Sequence, residues 1–145
     1  MEVNIREAQP DDYAVIGELV RNVLGYPDVD DEKLIVRLEK MRADSKYLTI
    51  VAELDGEVVG FTGIFRGIAY NVNGEYIQIT ALAVRKDMQN KKIGTQLTQW
   101  VEAYAVRNNI QRIVLTSRTH RVEAHAFYES HGYIKKSYGF YKDVL

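Results

Sequence analysis

Hydrophobic positions in the first part of the chain recur mainly at the spacing of an α-helix. An alternating stretch over 3–8 predicts a short first strand. A stripe at helical spacing follows over 13–23, after Pro10 and before Gly25, and it predicts a helix that begins near the proline and ends at the glycine. A second stripe over 34–41 predicts another amphipathic helix. The chain is therefore expected to open with one strand and two helices.

From Tyr47 onward the pattern changes to that of strands. Residues 47–54 and 58–70 flank the dipeptide Asp55-Gly56, which is typical of a tight hairpin turn. A third strand is predicted over 76–84, after a second turn. Strands joined by tight turns are antiparallel. We therefore expect an antiparallel meander in the middle of the chain.

Helical periodicity returns after this meander. Hydrophobic residues share one helical face over 93–104, a strand is predicted over 112–117, and a helix over 122–131 is followed by Gly132. Two short strands are expected over 133–144. The order β α α β β β α β α β β predicts an α/β (α+β) fold with a mixed, mostly antiparallel sheet flanked by helices. The strands before and after the helix at 93–104 are expected to be parallel neighbours.

Composition narrows the possible functions. A chain of 145 residues, 46% of them hydrophobic, is expected to form one domain over 1–145. A formal net charge of −1 argues against a domain built to grip nucleic-acid phosphates. The sequence has no cysteine, which excludes disulfides, Cys-bound zinc and a thiolate nucleophile. With neither a signal peptide nor a long apolar run in view, we expect a cytoplasmic protein that uses no membrane and no metal.

One loop carries the residues expected at a phosphate site. The segment 89–95 follows a strand and opens directly into a helix, whose first N–H groups and dipole favour an anion. Gly94 permits close approach of the backbone, and Lys91 and Lys92 add positive charge. The glycine patterns of nucleoside-triphosphate and dinucleotide sites are absent. The alternative interpretation is an ordinary solvated helix cap.

A second motif, on the last predicted helix, accompanies this loop. The loop reads Gln89-x-x-Lys92-x-Gly94, and the last helix reads Arg121-x-x-Ala124-x-x-Phe127-Tyr128-Glu129-x-x-Gly132-Tyr133. In this pairing and element order the chain resembles the GNAT superfamily of N-acetyltransferases. That family has Gln/Arg-x-x-Gly-x-Gly/Ala in its pyrophosphate loop and Ala-x-x-Phe-Tyr-x-x-x-Gly-Phe/Tyr on a later helix.

The resemblance implies direct transfer of an acetyl group from acetyl-CoA to a primary amine of a small molecule or peptide, since there is no cysteine to form an acyl-enzyme. It implies that Tyr128 protonates the departing thiolate and also touches the coenzyme, although a core aromatic is the alternative role for this residue. It implies a homodimer through the C-terminal strands. The remaining coenzyme-binding residues implied are Leu82, Ala83 and Val84 for the pantetheine arm, and Gln89, Asn90, Lys91, Lys92, Ile93, Gly94 and Thr95 for the pyrophosphate.

The chain departs from the family pattern at several positions. Lys92 stands where the family usually has glycine. Its side chain either supplies a positive charge to the phosphates or is simply solvated. Arg121 stands where many members have asparagine. The strand before the loop has Gln78 and Thr80, which alternation places with Tyr76 on the acceptor side, where many relatives carry a glutamate base.

The missing base affects which amine can react. Deprotonating an alkylamine of pKa about 10.4 at pH 7 costs about 4.6 kcal/mol, whereas an α-amino group costs only about 1 kcal/mol. This cost of deprotonation would be reduced by a less basic amine or met by a water relay. A base at Glu75, His120 or Glu123 would also meet it. A CoA-binding sensor of the same fold is the alternative function.

The connection between the first two helices is acidic. Tyr26 and Asp28 are candidates to attract a cationic amine, by charge or by cation–π contact. The alternative is helix capping by Asp30 or Asp31, with Glu32 favouring the first helical turn.

Overall fold

In the computed structural model, which describes residues 2–145, the sheet has the same strand order as the sequence. Neighbouring strands are antiparallel from the first to the fourth, and the fifth lies beside the fourth. The predicted meander and the predicted fold class are thereby confirmed. The strands are β1 (Asn4–Glu7), β2 (Tyr47–Leu54), β3 (Glu57–Ile68), β4 (Glu75–Val84) and β5 (Arg112–Leu115).

Four α-helices connect or follow these strands: α1 (Tyr13–Asn22), α2 (Asp31–Arg42), α3 (Ile93–Arg107) and α4 (Val122–Ser130). Short 3₁₀ turns over 10–12 and 86–88 precede α1 and α3. The chain forms two compact units, one up to Val114 and one from Leu115 to Leu145.

The sheet of the first unit has a hydrophobic core on each face. Val51 and Phe61 pack with α1 and α2 residues such as Ile16, whereas Ile50 packs with α3 residues such as Leu97. Adjacent residues of β2 therefore serve opposite cores, as the alternation of a strand requires. Each helix layer is held because its apolar stripe covers one face of the same sheet.

The tight turn between β2 and β3 agrees with the sequence prediction. Asp55 and Gly56 both have positive φ, 52° and 82°. The two-residue hairpin turn that matches the twist of its strands needs this conformation at both central positions. The dipeptide therefore sets the register of β2 against β3.

The two strands predicted over 133–144 are not formed, so this part of the prediction was wrong. The structure assigns no strand after β5, and the apolar side chains of Ile134, Tyr138 and Phe140 are largely exposed. A strand needs a neighbouring edge to pair its backbone groups. Apolar residues in rough alternation predict the local conformation but do not supply that edge.

Candidate active site

The strand that leads to the candidate phosphate loop contains a β-bulge. Across β3 and β4, Gly63 pairs with Ala81 but Ile64 pairs with Ile79, so Thr80 is an extra residue. A Cβ on Gly63 would lie 3.3 Å from the Thr80 hydroxyl oxygen and 3.9 Å from the Ala81 Cβ. Thr80 and Ala81 therefore lie over the same face of the sheet, and simple alternation fails beyond Thr80.

The predicted acceptor-side residues share this face. Gln78 pairs with Phe65, two positions from Gly63 on β3, and the ring of Tyr76 meets the Phe65 ring edge-on at 6.1 Å between centroids. Tyr76, Gln78 and Thr80 thus lie on one side, as the alternation predicts. They are half-buried or exposed, so these side chains are at least partly accessible to solvent.

The segment after β4, which we call the basic loop (residues 89–95), is tied back to the strand. The Gln89 side-chain amide donates to the Val84 carbonyl oxygen at 2.9 Å. The Arg85 amide donates to the Val59 carbonyl oxygen at 2.8 Å, and Met88 is buried in the turn. The predicted pantetheine residues 82–84 and the predicted pyrophosphate residues are therefore brought together at one end of β4.

The backbone of the basic loop has an unusual conformation. Asn90 and Lys92 both have positive φ, 62° and 65°, and Lys92 is the residue directly before α3. This left-handed conformation costs a residue with a Cβ about 1 kcal/mol, which is a physical reason for the family's glycine at the position of Lys92. A left-handed residue next to a helical one turns successive N–H groups into an anion-binding concavity. The first amides of α3 also lack partners within the helix.

Gly60 allows the start of α3 and the end of β4 to pack against β3. A Cβ at Gly60 would lie 3.0 Å from the Ala83 carbonyl oxygen, and 3.4 and 3.5 Å from side-chain carbons of Val84 and Ile93. The reading of the sequence did not single out Gly60. The available signal was a glycine inside a strand pattern, which often marks close approach of another backbone.

The charges around the basic loop are partly paired. Arg85 donates to Asp87 at 2.7 Å, and this hydrogen bond is the main reason that the pKa of Asp87 is lowered. Lys91 adds a smaller effect in the same direction. The side chains of Lys91 and Lys92 are exposed, so the loop presents its lysines to solvent.

Tyr128 lies on α4, in the second unit. Its side chain is 9% exposed, and its ring meets those of Phe127 and Tyr133 edge-on at 5.6 and 5.9 Å. Burial raises the pKa of its phenol, and the positive charge of Arg121 opposes this more weakly. The phenol is therefore protonated at neutral pH. The ring packs like a core aromatic, and its hydroxyl retains a proton that it can donate.

The acidic connection (residues 24–32) uses two of its carboxylates within the fold. Asp30 is the N-cap of α2, because its side chain accepts a hydrogen bond from the Lys33 amide at 3.0 Å. Asp31 forms an ion pair with Arg21 of α1 at 2.6 Å. Gly17, one helical turn before Arg21, leaves the room for the Asp31 carboxylate, which a Cβ there would strike. Capping is thus confirmed for Asp30, and Asp31 joins the two helices.

The other candidates of this connection lie at its surface. Tyr26 is 41% exposed and Asp28 is exposed. The Tyr26 amide donates to the Val20 carbonyl oxygen at 3.3 Å, which ties the connection to the end of α1. Asp28 is thus better placed than Asp31 to meet a ligand.

Glu75, one of the candidate bases, is paired with an arginine. Arg66 donates to both of its carboxylate oxygens, at 2.9 and 2.6 Å, and the Arg66 guanidinium lowers the pKa of Glu75. Arg66 also donates to the Tyr104 hydroxyl at 2.9 Å. Glu75 therefore holds β4 to β3 and, through Arg66, to α3. His120 and Glu123 are exposed residues of the second unit.

Comparison with known proteins identifies the family. The model of the acetyltransferase (GNAT) family matches residues 11–133. The chain belongs to the GNAT family. It is an N-acetyltransferase, and acetyltransferases of this family use acetyl-CoA.

Individual relatives agree with this assignment. Over 130 residues the chain is 30% identical to the aminoalkylphosphonate N-acetyltransferase of Salmonella typhimurium, covering 90% of this chain and 81% of the relative. The fold matches a transcriptional regulator from Bacillus halodurans with a TM-score of 0.91 at 24% identity, covering 98% and 99% of the two chains. It matches glucosamine-6-phosphate N-acetyltransferase from Arabidopsis thaliana with a TM-score of 0.83 at 19% identity, covering both chains in full. The two structural matches show that this GNAT chain has the fold of its relatives.

Among residues 2–145, no helix is long and apolar enough to cross a membrane. The same range contains no group of three or more His, Cys, Asp or Glu side chains placed to hold a metal ion.

Proposed function

We propose that this protein transfers an acetyl group directly from acetyl-CoA to a primary amine of a small molecule or peptide. The observation that carries the proposal is the left-handed Lys92 at the N-terminus of α3, which follows the bulged strand β4 and the turn over 86–88. This arrangement offers backbone N–H groups to an anion, and family membership supports the coenzyme pyrophosphate as that anion.

The residues present fit the coenzyme. Residues 89–95 would hold the pyrophosphate through backbone amides, with Lys91 and Lys92 adding positive charge nearby. Residues 82–84, at the end of β4, would pair with the amide-bearing pantetheine arm as a strand edge pairs with a peptide. Gly60 supports both segments, because the contact of α3 with β3 has no room for a side chain at this position.

Tyr128 is the proposed proton donor. As the amine nitrogen bonds to the thioester carbon, the carbon–sulfur bond breaks and its electrons go to sulfur. The Tyr128 phenol then supplies the proton to that sulfur and regains a proton from solvent, while the amine gives up one of its own protons to solvent. An amide among residues 82–84 stabilises the negative charge that develops on the carbonyl oxygen. The raised pKa of Tyr128 keeps the donor protonated at neutral pH.

The acceptor would meet Gln78 and Thr80 on the sheet face that they share, and Tyr26 and Asp28 on the acidic connection. Gln78 and Thr80 can form hydrogen bonds but cannot deprotonate an ammonium at neutral pH. This favours an amine of lowered pKa. The name of the Salmonella relative supports a small aminoalkylphosphonate as one acceptor to test.

An acetyl-transfer assay tests the proposal. Free CoA released in the reaction can be followed with a thiol reagent without background from protein thiols, because the sequence has no cysteine. The panel would hold a short aminoalkylphosphonate, the amino acid with the same chain length, a plain alkylamine and a peptide α-amine. Amine-dependent CoA release with an acetylated product in the mass spectrum is expected. Coenzyme binding without transfer to any amine would instead favour the sensor interpretation.

Thermal unfolding tests the pyrophosphate site separately. Acetyl-CoA should raise the Tm, because it binds only the folded protein. Dephosphorylated pantetheine should raise it less, since it lacks the group that residues 89–95 are proposed to bind. Equal shifts from both compounds would contradict the assignment of the basic loop.

A further inference from the structure

Two threonine hydroxyls bridge β3 and β4 at the bulge, one from each strand. Thr62 of β3 donates to the Ala81 carbonyl oxygen at 2.8 Å, and Thr80 of β4 donates to the Gly63 carbonyl oxygen at 3.1 Å. A bulge interrupts the regular ladder of backbone hydrogen bonds. The two hydroxyls thus hold the strands together where the ladder is irregular.

Thr62 differs from Thr80 in its burial. Thr62 is 1% exposed, whereas Thr80 is exposed. A buried hydroxyl must have a hydrogen-bond partner, and a buried carbonyl that loses one is costly. The Thr62 hydroxyl therefore keeps its bond to Ala81, because water does not reach this side chain as a competing partner.

This bond also orients a neighbouring amide. The Ala81 carbonyl and the Leu82 N–H belong to one peptide group, which is planar and points the two in opposite directions. The Thr62 hydroxyl bonds to this carbonyl from the β3 side, where Ala81 pairs with Gly63. The Leu82 N–H consequently points to the other side of β4, away from β3.

We propose that Thr62 is a positioning residue for acetyl transfer, because its hydroxyl fixes the direction of the Leu82 amide that stabilises the developing oxyanion. The inference rests on the proposed function, in which an amide among residues 82–84 has this role, and it specifies which amide. A hydrogen-bond donor lowers the barrier most when it is already aimed at the position where charge develops. Thr80 supports the same bulge from the opposite strand.

Paired substitutions at Thr62 test the inference in the full chain. Thr62→Val preserves the shape of the side chain but removes the hydroxyl, and Thr62→Ser retains the hydroxyl. We expect Thr62→Val to lower kcat about tenfold, while the KM for acetyl-CoA changes by less than about twofold. Thr62→Ser should restore most of the lost kcat. Thr49→Val, on β2 opposite Gly63, is the matched control and should leave both constants unchanged.

The outcomes separate this inference from the proposed function. Wild-type turnover in a folded Thr62→Val variant would overturn the inference alone, as would a Thr62→Ser variant as slow as Thr62→Val. A wild-type protein that binds no acetyl-CoA would overturn the proposed function as well. If Thr62→Val does not fold, the ¹⁵N amide resonance of Leu82 in the wild type provides the test. It should shift more than other β4 amides when acetyl-CoA is added, and the absence of that shift would overturn the inference.

Discussion

The acidic connection and the basic loop carry opposite charges, and they differ in what those charges already contact. In the acidic connection, Asp30 caps α2 and Asp31 pairs with Arg21, so both carboxylates have partners in the fold. In the basic loop, Lys91 and Lys92 are exposed and the backbone is left-handed at Lys92. A run of charge in a sequence is therefore weak evidence for a ligand. An unusual backbone conformation at a helix N-terminus is stronger, because capping does not require it.

The largest expected change in kcat comes from a substitution outside the acidic connection and the basic loop. Tyr128→Phe should lower kcat about a hundredfold, since it removes the proposed proton donor, while the KM for acetyl-CoA changes by less than about twofold. Steady-state kinetics at neutral pH measure both constants. Tyr138→Phe, at a tyrosine that is 85% exposed in the same unit, is the matched control and should change neither. A normal kcat for Tyr128→Phe would leave Tyr128 with a packing role only.

The pH dependence gives Tyr128 a second test. Burial raises its pKa above the ordinary value of about 10, so the phenol stays protonated to higher pH in the folded state than in the unfolded state. Its contribution to stability is therefore complete below about pH 10 and is lost as the pH rises through the folded pKa. The proton donor is lost over the same range, so kcat should not fall below about pH 10 on account of Tyr128. An alkaline limb at lower pH that disappears in Tyr128→Phe would contradict this assignment.

Within the acidic connection, Arg21→Met should reduce the free energy of unfolding by about 1 kcal/mol. It removes a partly exposed ion pair with Asp31 and a hydrogen bond to the Val29 carbonyl, each of which contributes modestly. Affinity for acetyl-CoA should not change. Urea unfolding measures the loss, with Arg37→Met on the exposed surface of α2 as the matched control. Unchanged stability together with a raised KM for the acceptor would instead give the Arg21–Asp31 pair a role in the acceptor site.

Local patterns predicted most of the fold, and the misses have a common physical origin. The bounds of β2 and the Asp55-Gly56 turn agree with the sequence because both follow from short-range stereochemistry. The bulge at Thr80 could not be read from alternation, since an extra residue shows only against the partner strand. The strands expected over 133–144 failed for a related reason, because pairing depends on an edge that lies elsewhere.

In the candidate site, too, local patterns found some residues and missed those whose roles depend on tertiary contacts. Residues 89–95 were found from their position between a strand and a helix and from their likeness to a family motif. Gly60 and Thr62 were missed because their roles depend on what β4 and α3 place beside them. The sequence offered Asp31 as a possible helix cap, whereas the structure places it against Arg21. Residue type suggested which chemistry was possible, and tertiary contacts decided which groups were already in use.

Two substitutions of Lys92 separate charge from backbone conformation in the basic loop. Lys92→Gly should raise the free energy of unfolding by about 0.5 to 1 kcal/mol, because glycine adopts positive φ without strain. Lys92→Ala removes the same charge but keeps the strain, so its stability should match that of the wild type. If the amides hold the pyrophosphate, both variants should bind acetyl-CoA within about threefold of the wild type. Titration at low and high salt checks this, and a large equal loss in both variants would assign the binding to the lysine charge.

The smallest effect is expected at Asp28, the carboxylate of the acidic connection best placed to meet an acceptor. Asp28→Asn should leave the free energy of unfolding unchanged within about 0.5 kcal/mol, because the side chain is exposed. Its charge would act on a cationic amine through solvent, so the acceptor KM should rise only about twofold at low ionic strength. The difference should vanish at about 1 M salt, where screening is short-ranged. A KM that does not change at low salt would mean that the acidity of this connection serves only to join and cap the helices.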